Sequence, residues 1–463
     1  MLKPRNKLFS YQALAVTFVL GLGGCGSTTS MQTAPPSNPT QTDYPSASTR
    51  QWLTELASTG APPLIANQAG PPTDVLGAMA GNPTGGFVMA GYTLGTYPGF
   101  TNASGAAQAI VAKYDSSGVR QWFIQFGTGY GDFLNGIAVD VSENIYAAGA
   151  TNGTYAGQVA SPGEQALVVK LDKSGNRIWA TEFNLGSGYT SVNAISMDSS
   201  GMPYVVGSFT PVAMTGTVYS FAAQLDPASG SARWIQKYGA ANIVTSIDAL
   251  ALGPAGDLYI LGGNLTATSS GQSTANVERL SSSTGSLFWN QDLEAASKGT
   301  YLLSSVTVPA DGQPIIAGSY SASNSLVVGF GADSSASGFI AKLSASSGLS
   351  SWQVRPSSGT GEEVTSVVAT AGGIYAVGST NGSLSGAYSA QLEGNFLLKL
   401  NNVGDVTWVQ QFGTGIVVNI QTPYGLRSTT DGKSIYVGGP TQTAYPGFAG
   451  NGLLQIFLSS WGI

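Results

Sequence analysis

The chain of 463 residues contains no histidine, a single cysteine, Cys25, and charged side chains at only 9% of positions. The missing histidine removes Ser-His-Asp triads, imidazole acid–base chemistry and histidine metal sites together. One cysteine cannot form an internal disulfide. So few Glu, Lys and Arg argue against solvent-exposed helices, and no segment after residue 49 shows helical periodicity. No basic cluster lies beyond Lys3, Arg5 and Lys7, and without those three the balance is 15 basic against 24 acidic residues, a net charge of about −9. Nucleic acid is therefore not an expected partner. What is abundant is glycine, 63 residues, with many Ser and Thr and a hydrophobic content of 42%. That composition suits short strands joined by many turns.

The N-terminus reads as an export signal. Met1 to Lys7 is basic, and the apolar run from Leu8 to Leu22 is too short to span a bilayer comfortably. It ends in Leu22-Gly23-Gly24-Cys25, which resembles the bacterial lipobox. That resemblance implies cleavage before Cys25, lipidation of its thiol with diacylglycerol and palmitate, and a membrane anchor. Gly26 and Ser27 follow, and the absence of Asp there is similar to lipoproteins delivered to the outer membrane or cell surface. Residues 1–25 are thus expected to be the signal, and 26–48, rich in Ser, Thr and Pro, a disordered tether. Residues 49–463 are expected to be one domain.

Within that domain Trp52, Trp122, Trp179, Trp234, Trp289, Trp352 and Trp408 recur at intervals of 70, 57, 55, 55, 63 and 56 residues. Gly118, Gly175, Gly230, Gly285, Gly348 and Gly404 each precede a Trp by four. A third marker, Gly91, Gly149, Gly207, Gly262, Gly318, Gly378 and Gly439, keeps the same phase, often with a Tyr three residues earlier. Each unit reads as four strands; in the second these are Asn135 to Asp140, Asn144 to Gly149, Ala166 to Asp172 and Arg177 to Phe183. Radially repeated four-stranded units make an all-β, seven-bladed β-propeller. No Gly stands four residues before Trp52, and the last unit, Leu453 to Leu458, lacks an outer strand. The segment Arg50 to Leu56 is therefore expected to complete the last blade, with Trp461 outside the repeat.

The run Ala109-Ile-Val-Ala-Lys-Tyr-Asp115, Gly118, Trp122, Phe126-Gly127, Asp132, Gly136-Ile-Ala-Val-Asp140 and Asn144-Ile-Tyr-Ala-Ala-Gly149 resembles the bacterial seven-bladed β-propeller repeat (SBBP). Tyr97-Pro-Gly-Phe100 and Tyr445-Pro-Gly-Phe448 are similar to a Phe-Pro-Gly segment of that family. The resemblance covers residues 50 to 458; it implies an exported propeller and no established reaction, cofactor or catalytic residues. Leu225-Asp-Pro-Ala-Ser-Gly230 and Leu280-Ser-Ser-Ser-Thr-Gly285 more weakly resemble pyrroloquinoline-quinone-type repeats. The quinone enzymes carry a vicinal disulfide that one cysteine cannot make.

Candidate chemistry is sparse. Asp115 to Gly118 and Asp172 to Asn176 lack the further ligands of a calcium loop and read as turns, so no metal is expected. Gly127-Thr-Gly129 and Gly413-Thr-Gly415 lack the lysine of a phosphate loop. Glu362-Glu363 reads as a solvated loop. An enzyme is not expected. Tight turns fall on one face of the disc and long loops on the other. Those long loops carry Tyr97, Phe100, Tyr155, Tyr320, Tyr388, Tyr445 and Phe448, candidates for a face that binds a protein or a glycan. Binding through the blade edges, as a structural scaffold of an envelope complex, is the alternative.

Overall fold

The computed structural model describes residues 50–58, 74–155, 157–159, 163–211, 218–239, 243–266, 273–293, 300–321, 336–359, 361–384, 394–412, 426–441 and 455–462. They form twenty-eight strands in seven four-stranded antiparallel sheets, and no helix occurs among them. Blade 1 is β2 (Asp74–Gly81), β3 (Phe87–Thr93), β4 (Gln108–Tyr114) and β5 (Arg120–Phe126), in that order from the centre outward. Blade 2 repeats it with β6 (Asp132–Val139), β7 (Ile145–Thr151), β8 (Gln165–Leu171) and β9 (Arg177–Phe183). The inner strands of blades 3 to 7 are β10 (Thr190–Met197), β14 (Ile243–Leu252), β18 (Thr300–Thr307), β22 (Glu362–Thr370) and β26 (Arg427–Thr430). Each inner strand packs on the next, and β26 on β2, which closes the ring around an axial channel.

Seven apolar clusters hold the ring, one between each pair of neighbouring blades. Val88, Ala90 and Val111 of blade 1 meet Leu134, Ile145 and Leu167 of blade 2. The seam is built in the same way: Leu76, Phe87 and Met89 of blade 1 meet Tyr436, Ile456 and Leu458 of blade 7. Because every core is shared by two blades, no blade can bury its apolar surface alone.

The sequence markers now have physical causes. Trp Nε1 donates to a carbonyl in the outer hairpin of the next blade: Trp52 to Ser116 O at 3.0 Å, Trp122 to Lys173 O at 3.0 Å, Trp234 to Ser282 O at 2.9 Å. Trp289 and Trp352 repeat the bond to Ala345 O and Asn402 O. The marker glycine of that hairpin lies flat under the indole. A Cβ on Gly118 would stand 2.6 Å from the Trp52 ring, and its φ of +82° itself suits glycine. Trp and Gly therefore repeat together because they touch across a blade boundary. The third marker faces a bulge. Gly149 pairs with Leu134, where Asn135 is extruded from the register, and a Cβ there would stand 2.0 Å from Phe133 O.

Closure occurs as the chain ends imply. β1 (Arg50–Leu56) pairs antiparallel with β28 (Gln455–Gly462), which in turn pairs with β27 (Ser434–Thr441). One expectation is corrected. β28 does not end at Leu458 but runs to Gly462, and Trp461 faces Ile435 as Leu171 faces Ile145 in blade 2. Trp461 thus belongs to the repeat. It stands where other blades turn to their outer strand, and since blade 7 takes that strand from the chain start, nothing forces a turn here.

Candidate functional site

Two surfaces are positioned by this frame, the long-loop face and the channel. The roots of the long loops are set by buried carboxylates at the first residue of an inner strand. Asp132 accepts from Thr151 Oγ1 at 2.7 Å on one oxygen and from Thr128 N at 2.7 Å on the other. Thr151 Oγ1 accepts in turn from Gly153 N at 3.0 Å. Blade 1 repeats the relay: Asp74 accepts from Thr93 Oγ1 at 2.7 Å, and Gly95 N donates to that hydroxyl at 2.9 Å. Blade 6 repeats it again with Glu362, Thr380 and Gly382. Across each loop an outer-strand side chain takes a second backbone N–H: Gln125 from Tyr97, Glu182 from Tyr155, Gln411 from Leu384, at 2.9, 2.5 and 2.7 Å. Burial raises the Asp74 carboxyl above the usual aspartate range, against the donors that lower it.

This corrects two expectations. Tyr97 and Tyr155 do not face outward; they are 3% and 5% exposed and sit beneath their loops. Tyr97 packs on Phe123 at 4.4 Å, and Tyr155 edge-on to Phe126 with the Arg177 guanidinium 5.7 Å from its ring. Burial, and then the negative charges of Asp74 and Asp132, push both phenols above their ordinary range. Phe100 is half-buried against Phe123 at 5.6 Å. Tyr320 is partly exposed, its ring tilted 47° to that of Tyr301 at 4.9 Å, with the Arg355 guanidinium 4.6 Å from its ring centre. Tyr388, Tyr445 and Phe448 lie outside the described residues. The blade 6 counterpart of Tyr97 and Tyr155 is Leu384, a match invisible in the sequence because the residue type differs.

The Glu362-Glu363 pair is corrected as well. Both residues open β22, and Glu362 is buried in the relay above. Burial lifts the Glu363 carboxyl to about 7, opposed by the positive charge of Arg427.

Sequence reasoning missed the channel ring entirely. In blades 2, 3 and 5 the extruded residue of the inner strand reaches the next blade and donates to the carbonyl just before the next bulge. Asn135 Nδ2 bonds Val192 O at 2.9 Å, Asn193 Nδ2 bonds Ile247 O at 3.0 Å, and Ser304 Oγ bonds Val364 O at 2.6 Å. The extruded Thr365 bonds Leu426 O through Oγ1 at 2.9 Å, and Arg427, paired in register with Gly438, crosses the seam from Nε to the O of the extruded Gly77 at 2.8 Å. Gly77 has no side chain, and a Cβ there would already stand 2.1 Å from Leu134 O. The signal that could have revealed this ring is the residue three after Asp74, Asp132 and Glu362, which is small or a hydrogen-bonding donor each time.

Asp248 breaks the pattern. It fills the bulge of β14, keeps an exposed edge at the ring axis while surrounded by protein, and only accepts, from Ser246 Oγ at 2.5 Å and Asn193 Nδ2 at 3.3 Å. Ionised, it has no proton for Leu303 O, the equivalent carbonyl of β18. Burial raises its pKa above the ordinary 3.8. β10 and β18 contribute no charged residue and β15 (Asp257–Thr266) only Asp257 at its far end; Glu363 of β22 and Arg427 of β26 are the charged residues of the other inner strands beside the loop-root carboxylates Asp74, Asp132 and Glu362. A raised folded pKa means that the folded state binds the proton more tightly than the unfolded chain. The resulting penalty is complete above the folded pKa and fades as pH falls towards 3.8. Asp248→Asn supplies the missing donor, and its melting temperature is expected to exceed the parent's at pH 7. The difference should shrink on acidification through that window; thermal melts from pH 7 to pH 4 read it, and a pH-independent gain or a loss would refute this role.

Among the described residues no group of three or more His, Cys, Asp or Glu gathers as a metal site. In comparison with known proteins, residues 121–155 match the SBBP β-propeller repeat. No curated protein matches the chain in sequence. Solved structures resemble it in fold. BamB from Moraxella catarrhalis is 14% identical, covers 83% of this chain and 96% of its own, and has a TM-score of 0.39. A protein of unknown function from Dyadobacter fermentans is 11% identical, covering 71% and 93%, with a TM-score of 0.46. YCF48 bound to a D1 peptide is 12% identical, covering 91% and 98%, with a TM-score of 0.43. The chain therefore carries an SBBP β-propeller repeat, at residues 121–155, within a ring of seven blades built to one plan.

Proposed function

We propose that this protein is a non-catalytic interaction module, anchored in the cell envelope through lipid on Cys25, that engages a protein or a glycan with its long-loop face. The observation that carries the reading is the pair of clamps at the loop roots of blades 1, 2 and 6. A carboxylate–threonine relay holds one side, and Gln125, Glu182 or Gln411 the other. Loops rooted this way hold a surface in one shape before a ligand arrives, which lowers the ordering cost of binding. The opposite face consists of short hairpins whose Asp side chains bond their own turns, as Asp172 does with Ser174 N and Asn176 N. The lipid would place the module on the outer membrane or the cell surface.

The blade edge supports a second reading, a scaffold within an envelope complex. On the outer strand β17 (Leu287–Leu293) the apolar Leu287 and Phe288 are 55% and 56% exposed, where blade 2 has Arg177 and Ile178. Glycan arrays and envelope-extract capture with the mature protein separate the two. Capture lost in Tyr320→Ala with Arg355→Ala but kept in Leu287→Ser with Phe288→Ser supports the loop face; the reverse supports the edge. Turnover abolished by one carboxylate substitution would overturn both. For the anchor, Cys25→Ser is expected to lose labelled palmitate and either be released in soluble form or keep its signal; palmitate retained on the variant would refute it.

A further inference from the structure

The path of β1 determines which face a lipid anchor would hold towards the bilayer. In every blade the third strand runs from the long-loop face to the tight-turn face, and the outer strand returns. β28 is the third strand of blade 7 and ends at Gly462 on the tight-turn face; β1 is antiparallel to it and begins there at Arg50, opposite Trp461. A side-chain contact fixes the same point independently, since Trp52 Nε1 donates to Ser116 O in the tight hairpin between β4 and β5. Whatever precedes Arg50 therefore joins the ring on the tight-turn side.

We propose that the ring stands with its tight-turn face towards the membrane and its long-loop face turned away, so that its partner is a macromolecule approaching from the compartment and not a lipid. This rests on the anchoring reading above. The tight-turn face is close to charge-balanced: Asp115, Asp140, Asp172, Asp198, Asp226 and Asp431 accept backbone N–H bonds of their own turns, while Lys113, Arg233, Arg279 and Lys342 pair there with Glu143, Asp226, Asp257 and Asp311. It carries no net charge that would turn the ring over on an anionic leaflet. Cys25 and Arg50 are separated by 24 residues, a length whose random-coil reach is roughly 27 Å. A seven-residue strand separates the two faces by roughly 23 Å, comparable to that reach, so the attached face is the nearer one on average.

Cys25 is the only cysteine, and acylation consumes its thiol, so one introduced cysteine is a unique label. Donor dyes on Val403→Cys and Val141→Cys report the tight-turn face and on Val159→Cys the long-loop face; these valines are 69%, 78% and 86% exposed. The mature lipidated protein is reconstituted in phosphatidylcholine vesicles with an acceptor dye on the headgroups. Energy transfer from 403 and 141 is expected to exceed that from 159 by about twofold, given the strand-length offset between faces. Equal or reversed transfer in protein that floats with the vesicles overturns the orientation and leaves the anchor standing. Failure to float overturns the anchor, and the orientation with it.

Discussion

Deleting residues 49–57 is expected to cause aggregation, or a fall in urea midpoint corresponding to a large share of the stability of the domain. Only nine residues are lost, and beside a Ser- and Pro-rich leader such a truncation would ordinarily be harmless. Here it removes β1, the outer strand of blade 7. The edge of β28 from Ile456 to Trp461 loses its partner, and an unpaired apolar edge is a template for association. Leu56, 5% exposed, leaves the seam cluster, and Trp52 leaves Phe87, 6.1 Å away, and Tyr436, 6.2 Å away. A domain's net stability of about 5–15 kcal/mol leaves little reserve against the loss of several such contacts. Light scattering and urea unfolding of the truncated protein check this. An unchanged midpoint would show that β1 contributes nothing to closure.

Trp461→Ala is expected to destabilise more than Trp52→Ala, by about 3–5 kcal/mol against roughly 1–3 kcal/mol. The ranking reverses the one that the repeat pattern suggests. Trp461 is 3% exposed, packs 5.3 Å from Phe412 among Trp408, Ile435 and Val437, and donates to Ser459 Oγ at 3.1 Å. Its removal leaves a cavity between the sheets of blades 6 and 7. Trp52 lies on an edge strand and is only partly buried, so its loss forfeits less apolar burial together with the bond to Ser116 O. Paired denaturation curves decide the matter. A smaller effect at position 461 would mean that the C-terminal strand frays without cost.

Much of the blade is legible in the sequence alone. The outer strand of blade 2 spans Arg177–Phe183 as the alternation and turn residues indicate, because a Trp every 55 to 70 residues with a glycine four before it encodes a contact and not merely a composition. Inner strands were less legible. β6 begins at Asp132, three residues before the strand expected at Asn135, since a carboxylate buried against Thr151 resembles a loop residue until the threonine is seen beside it. The site aromatics erred in the same direction. Tyr97 and Tyr155 carry polar tips in glycine-rich loops, which suggests exposure, yet their rings fill the space under those loops where Phe123 and Phe126 wait.

Local periodicity by itself determined the number of blades, the strand order within each and the seam between the two chain ends, because those features are carried by residues that must recur wherever the same contact recurs. The tertiary structure alone decided which carboxylates are buried, that Trp461 is core, and that Asn135, Asn193, Ser304, Thr365 and Arg427 join into one ring around the channel. These residues differ in type, so only their spacing from an acidic strand start such as Asp132 or Glu362 marks some of them in the sequence. Their common property is a proton to donate across a gap between blades, and that gap exists only once seven sheets have closed on one another.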